Sequence, residues 1–268
     1  MDQGCCPATT AAVCVPTIGR VLCYSTDRRI MQLVEDELID HEVMSVIIRR
    51  YCQSDQEADK HSPYLTWRHP IEPEFSTLVL SDHDFLHTVS IQKALCADSL
   101  KYDITSAQLF FTPVPRPKGW IVVFWDMVAR LMFVIDPMYS KRSQPLTTQQ
   151  RDEITAWKLH DALFICLNEY YAGWPVRKDG WKVTFPALAD SIFSRNETGA
   201  CVVHIARHCD GKKLKMPLTK GFRRCAFSGR RRSRRRRGVY VDFINFKMIC
   251  RLSLSKVLIG VRCACVCL

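Results

Sequence analysis

Three groups of residues in this 268-residue chain have types and spacings that could do chemistry. Asp136 closes an apolar run and precedes Pro137, which cannot donate to a sheet ladder. Its carboxylate should therefore stand at a sheet edge, where it can orient an imidazole or simply cap a turn. Cys201, His204 and His208 are spaced i, i+3 and i+7, which would set a thiol and two imidazoles on one helical face. That face could hold a metal, but the Glu of H-E-x-x-H is missing and structural zinc asks for four ligands. A half-exposed His pair beside a buried, apolar-behaving Cys201 accounts for the same residues, so no metal and no cofactor is expected. The third group is Arg230, Arg231, Arg232, Arg234, Arg235, Arg236 and Arg237. Guanidinium groups at this density bind phosphate by counterion release and also serve as nuclear import addresses; the alternative is a solvated tail without a dedicated partner. No aromatic interleaves with them, so base stacking is not indicated.

The elements that must position Asp136 lie in residues 119–137, G-W-I-V-V-F-W-D-M-V-A-R-L-M-F-V-I-D-P. Residues 120–125 and 131–135 are rich in β-branched and aromatic side chains and flank a turn-like connection at 126–130, which predicts an antiparallel hairpin. Both runs are apolar on both faces, so the two strands should be central and covered on each side.

Composition narrows the setting. A chain of this length with 47% hydrophobic residues can bury a substantial core as one domain with appendages, or at most two domains. Its apolar stretches are broken by charge well short of the ~18 residues of a membrane span, and no membrane partner is expected. Asp2 and Pro16 argue against a secretory signal, which makes the Asn196-Glu197-Thr198 sequon silent and the location intracellular. Fourteen cysteines without one C-x-x-C pair read as reduced thiols. The net charge of +11 is local: residues 212–237 hold 13 of the 38 Lys and Arg and no acid, leaving 25 basic against 27 acidic residues elsewhere.

In chain order, residues 1–30 lack periodicity and read as a disordered lead-in. Helical spacing over residues 38–52, with Asp36 or Asp40 as N-cap, predicts an amphipathic helix. The polar stretch 53–75 with Pro63, Pro70 and Pro73 reads as a loop, and 90–97 as a short helix. Residues 108–114 look like a strand stopped by Pro113, Pro115 and Pro117. A long helix follows at 147–171, capped by Thr147 or Thr148 with Gly173 past its end, then a strand at 181–185 and a buried helix at 200–209. This order predicts an α+β domain over residues 31–220, followed by a basic, Cys-ending tail at 221–268.

This order and the local sequences resemble the ubiquitin-like-protein-specific (SUMO protease) cysteine proteases, in the divergent form carried by plant genes and transposon-derived reading frames. The resemblance rests on L-I-D-H-E-V-M-S-V-I-I-R-R, Trp120 and its hairpin, Asp136, the 147–171 helix and T-G-A-C-V-V-H-I-A-R-H-C-D-G after Glu197. It implies a papain-like cysteine peptidase architecture, with a central, mostly antiparallel sheet flanked by helices and a ubiquitin-like protein or peptide as partner. Carried over residue by residue, it puts Asp136 at the family's orienting Asp, Gly119 at its His, Thr198 at its Cys and Ile192 at its oxyanion-hole Gln.

One of four functional positions is thus retained, and the chemistry of the other three is disabling. A cysteine protease needs a thiolate held by an imidazole that later protonates the leaving amine. Gly119 can do neither, and a Thr hydroxyl without a base stays protonated. The expectation is a protease-family domain without peptidase activity. The alternatives are a nuclear nucleic-acid-binding or chromatin-tethered protein acting through the Arg-rich tail, and a divergent peptidase that still cleaves, with Cys201 as a displaced nucleophile.

Overall fold

The computed structural model describes residues 38–58, 68–96, 100, 102–117, 119–139, 145–186, 193–209, 214–215 and 218. The lead-in at 1–30, the tail at 221–268 and Ile192 lie outside them.

Among the described residues the first helix, α1 (His41–Ala58), starts where Asp40 Oδ1 accepts the Val43 amide at 2.8 Å, the cap expected of one of the two acidic candidates. Two further elements stand in the stretch read from sequence as a loop: β1 (Arg68–Pro70) and α2 (Pro73–Leu80). That reading is corrected for two reasons. Pro73 opens a helix, where its missing N–H costs nothing, instead of breaking one. Arg68 and His69 are polar yet buried, so β1 shows no apolar signature. Arg68 Nη1 donates to Ala206 O at 2.8 Å, satisfying carbonyls at a distant helix end.

The chain continues through α3 (Val89–Leu95), β2 (Leu109–Arg116), β3 (Gly119–Asp126), β4 (Leu131–Ile135), α4 (Leu146–Tyr170), β5 (Lys182–Thr184) and α5 (Thr198–His208). The five strands lie in sequence order in one mixed sheet. The long pairings of β3 with β2 and β4 are antiparallel, and the short outer pairings, β1 with β2 and β4 with β5, are parallel. The predicted hairpin is present, and its turn is capped by Asp126 Oδ1, which accepts from Val128 N at 3.0 Å and Ala129 N at 2.8 Å.

β2 runs through Pro113 and Pro115 instead of stopping there. Phe111 O accepts from Ile71 N, so odd-numbered positions of β2 direct their backbone groups away from β3. β1 pairs only as far as Phe111, and both prolines fall on the open side beyond it, where no ladder bond is asked of them. The N-cap of α4 is likewise Pro145, without a side-chain bond, and not Thr147 or Thr148.

Alternation along β3 divides the core. Trp120, Val122 and Phe124 face α1 and α5, whereas Ile121, Val123 and Trp125 face α2, α3 and α4. Double coverage is why the run carries no polar alternation. Phe124 is fully buried, with its ring 5.4 Å from that of Phe111. Phe124→Ala is expected to lower the unfolding free energy by about 3–5 kcal/mol in a denaturant titration, while Val128→Ala at the 75% exposed turn changes it by less than about 0.5 kcal/mol.

Candidate functional site

The start of β3, the end of β4 and the start of α5 are brought to one edge of the sheet. Ile135 pairs with Val122, so Asp136 follows the β4 end beside the first residues of β3. Phe193 N donates to Pro137 O at 3.4 Å, tying the segment before α5 to the segment after β4. A 3₁₀ turn, Arg195–Glu197, then aims α5; Glu197 Oε2 accepts from both Ser194 N and Ser194 Oγ at 2.8 Å. Gly199 lets α5 descend onto α1, since a Cβ there would stand 2.9 Å from Ile39 Cβ.

Thr198 is 0% exposed and its hydroxyl is fully engaged. It donates to Arg195 O at 2.6 Å and accepts the Trp120 amide at 3.0 Å. Gly119 sits directly against it. With φ at 121°, Gly119 occupies backbone space that L side chains rarely adopt. A Cβ built there would overlap Thr198 Oγ1 and lie 3.1 Å from Arg195 O. Trp120 is fastened from the other side by its Nε1, which donates to Ile39 O at 2.7 Å.

Asp136 behaves as a turn cap: its Oδ1 accepts Met138 N at 2.8 Å. Burial pushes its carboxyl up to about 6, against the Met138 hydrogen bond that favours the charged form, and the nearby Asp152 carboxylate raises it further. Asp152 and Arg116 went unnoticed in the sequence. Arg116 Nη2 donates to the buried Asp152 Oδ1 at 2.8 Å and to Thr155 Oγ1 at 3.0 Å. The signal was available, because Asp152 shares the apolar stripe of α4 with Ala156, Leu159 and Leu163, where a carboxylate must be paired.

Cys201 is 0% exposed inside the core formed by α1, α5 and β3. His204 and His208 lie half-buried, with ring centroids 4.6 Å apart. Burial, helped by His204 and two neighbouring guanidinium groups, lowers His208 to about 4. Among the described residues no three His, Cys, Asp or Glu converge, and no helix is long and apolar enough to cross a membrane. The arginines at 230–232 and 234–237 lie outside those residues.

Beside Trp120 an open groove of about 330 Å³ is lined by His41, Glu42, Ser45, Arg49, Glu72 and Glu74. The His41 ring centroid is 6.4 Å from that of Trp120, and Arg49 pairs with Glu72 at 2.7 Å. The groove walls carry both signs of charge. At the corner itself the Thr198 hydroxyl points its hydrogen at a main-chain carbonyl, Arg195 O.

Gly119→Ala is expected to cost at least about 2 kcal/mol through its positive φ and the collision with Thr198. Thr198→Ala should cost about 1–3 kcal/mol by orphaning Trp120 N and Arg195 O. In a double-mutant cycle the pair should cost less than the sum, since removing Oγ1 relieves part of the collision. For Asp136 the sign runs opposite to the usual carboxylate. Its native pKa lies above the unfolded value of 3.8, so its stabilising contribution is full below about pH 4 and is lost as pH rises through about 6. Asp136→Asn keeps an oxygen for Met138 N, so its denaturation midpoint at pH 7 should exceed that of the parent and the slope between pH 4 and 6 should flatten.

No protein-family model and no curated protein sequence matches this chain. Solved structures do. The SUMO protease Ulp1 with its catalytic cysteine oxidised to a sulfenic acid superposes with a TM-score of 0.52 at 12% identity, over 90% of this chain and 88% of that one. A de-sumoylating protease gives 0.49 at 11% identity over 72% and 70% of the two chains. The Ulp1-like SUMO protease catalytic domain of Chaetomium thermophilum gives 0.47 at 11% identity over 74% and 71%. The mixed five-stranded sheet with helices on both faces is therefore the α+β fold of the Ulp1-type SUMO proteases.

Proposed function

We propose that this chain carries a SUMO-protease-like domain that has lost peptidase activity and retains binding of a ubiquitin-like protein or peptide. The divergent, transposon-related form of that family accounts for a common fold at 12% identity. One observation supports the loss of activity: the hydroxyl of Thr198, which the sequence resemblance sets at the nucleophile position, is committed to two main-chain bonds beside a Gly119 with no room for a side chain. Acyl transfer needs a nucleophile whose proton passes to a base and returns to the leaving amine. Here the Thr198 hydroxyl keeps that proton in a hydrogen bond donated to Arg195 O. Asp136, which the resemblance sets at the orienting position, caps its own turn, and among the described residues no imidazole is bonded to it. The groove beside Trp120 supports the binding half of the reading.

A second reading is carried by charge. The 13 basic and no acidic residues of 212–237 fit a nucleic-acid or chromatin tether and a nuclear address, with the domain as scaffold. The two readings separate by ionic strength, because retention on a phosphate-bearing column falls steeply with salt whereas capture in a groove does not.

The purified protein should not hydrolyse a ubiquitin-like precursor, and a thiol-directed vinyl or aldehyde probe should not label residue 198. Gly119→His with Thr198→Cys and Asp136 kept tests the assignment of the positions, aided by Ile192→Gln as oxyanion donor. The backbone at 119 must then leave φ 121°. Activity in the combination and in neither single variant supports the assignment. Robust hydrolysis by the unmodified protein, abolished by Cys201→Ala, overturns the proposal in favour of an active divergent peptidase.

A further inference from the structure

The groove on α1 carries more negative than positive charge and holds two side chains without partners. Glu42, Glu72 and Glu74 line it against one guanidinium, Arg49, whose Nε lies 2.7 Å from Glu72 Oε1 and is answered by it. Glu74, half-buried in the first turn of α2, makes no ion pair and no side-chain hydrogen bond among the described residues. The main-chain N–H groups of that turn favour its charged form without cancelling the charge. Ser45, on the face of α1 between His41 and Arg49, is 4% exposed, and its hydroxyl is likewise without a partner there. A buried hydroxyl opening on a groove, beside an unpaired carboxylate, is set to receive a donor that carries several N–H groups and a positive charge.

The chain supplies such a donor within reach. Leu218, the last described residue, is 4% exposed and packs in the core that includes Val43, Met44 and Tyr51 of α1. Arg230 follows 12 residues later, an extended span of about 40 Å, whereas the 18 residues of α1 run about 27 Å. The Arg-rich run thus leaves from the flank of α1 on a tether longer than the helix. Residues 212–237 contain no acid, so its guanidinium groups find no carboxylate within their own stretch.

We propose that the arginines at 230–237 seat in cis on the α1 groove, with guanidinium groups on Glu74 and Glu42 and a donated bond to Ser45 Oγ, and that this contact closes the groove to other ligands. Planar guanidinium forks match carboxylates in a way that a lysine ammonium does not. Each exposed pair contributes little by itself, but the tether makes the encounter intramolecular, at an effective concentration in about the millimolar range, and several pairs form together. Arg49 does not bar the entry, since Glu72 holds it. The groove is the one assigned above to a ubiquitin-like protein or peptide, and the seated tail would compete with that partner without depending on it.

Trypsin cleavage of the full chain tests this contact, with cuts inside 230–237 followed by mass spectrometry and a synthetic peptide of residues 226–240 as the unseated reference. In about 50 mM NaCl the chain should be cut there roughly fivefold or more slowly than the peptide, and in about 0.5 M NaCl the two rates should converge. Glu42→Gln with Glu74→Gln should remove most of the protection at low salt. Cleavage as fast in the unmodified chain as in the peptide would overturn the proposal and leave a solvated tail. Protection retained by the double variant would place the tail elsewhere on the domain, and protection that grows with protein concentration would place it on a second copy; either result overturns it too. A measurement that leaves the groove residues intact covers a variant that fails to fold. Carbodiimide coupling of glycine ethyl ester should label Glu74 more slowly in the unmodified chain than in one whose seven arginines at 230–237 are changed to Gln, and equal labelling would sink the idea. Capture of a ubiquitin-like protein is measured separately, so failure here leaves the binding reading untouched.

Discussion

The burial of β3 on both faces and along both edges is the constraint on which the other elements depend. Its backbone is paired to β2 along its whole length and to β4 from Val122 to Asp126, and its side chains point alternately into two separate cores. A strand so enclosed cannot move without exposing Trp120, Phe124 and Trp125 together. The position of Gly119 at its start is set with corresponding precision, and everything at the sheet edge takes its reference from that point. α1 and α5 are oriented to the strand by the Trp120 indole and amide, which bond to Ile39 and Thr198.

At that edge Gly119, Trp120 and Thr198 form a compact joint. Thr198 joins helix to strand with one hydroxyl that both donates and accepts, and Gly119 is the residue type that permits so close an approach. The cost of an unmade bond for a buried amide or carbonyl makes such a joint stabilising. A nucleophile has the opposite requirement, namely a proton that is free to leave. The nearby Arg116–Asp152 pair shows the same tendency. It is a charge pair in a dry setting that holds β2 to α4, and its two members act oppositely on Asp136, the Asp152 carboxylate raising the cost of ionisation and the Arg116 guanidinium lowering it.

Much of the fold was legible in the sequence, for physical reasons that differ by element. The hairpin could be read because a doubly covered strand has no polar alternation, and α1, α4 and α5 because one apolar stripe repeats at helical period. β1 and α2 could not. Arg68 and His69 are interior residues, with Arg68 bonded to the end of α5 and His69 Nδ1 to the Tyr102 hydroxyl, and Pro73 begins a helix that the same residue type elsewhere would end. β2 continued past two prolines because the sheet leaves their side of the strand open, which is a fact about a neighbour and not about the strand itself.

The candidate site divides in the same way. By itself the sequence determined which groups are present: a glycine before Trp120, a threonine at the head of a buried helix, a carboxylate after a strand, and two histidines four residues apart. These follow from residue type and local period, which operate within a few turns of chain. Only the tertiary structure decided what each group does. The bond between Trp120 and Thr198 spans 78 residues, the overlap that forbids a side chain at 119 depends on where α5 lands, and the acidity of Asp136 depends on burial and on Asp152 across the sheet edge. Contacts, desolvation and the direction of a shared proton are properties of surfaces brought together by folding, so no local pattern could have carried them.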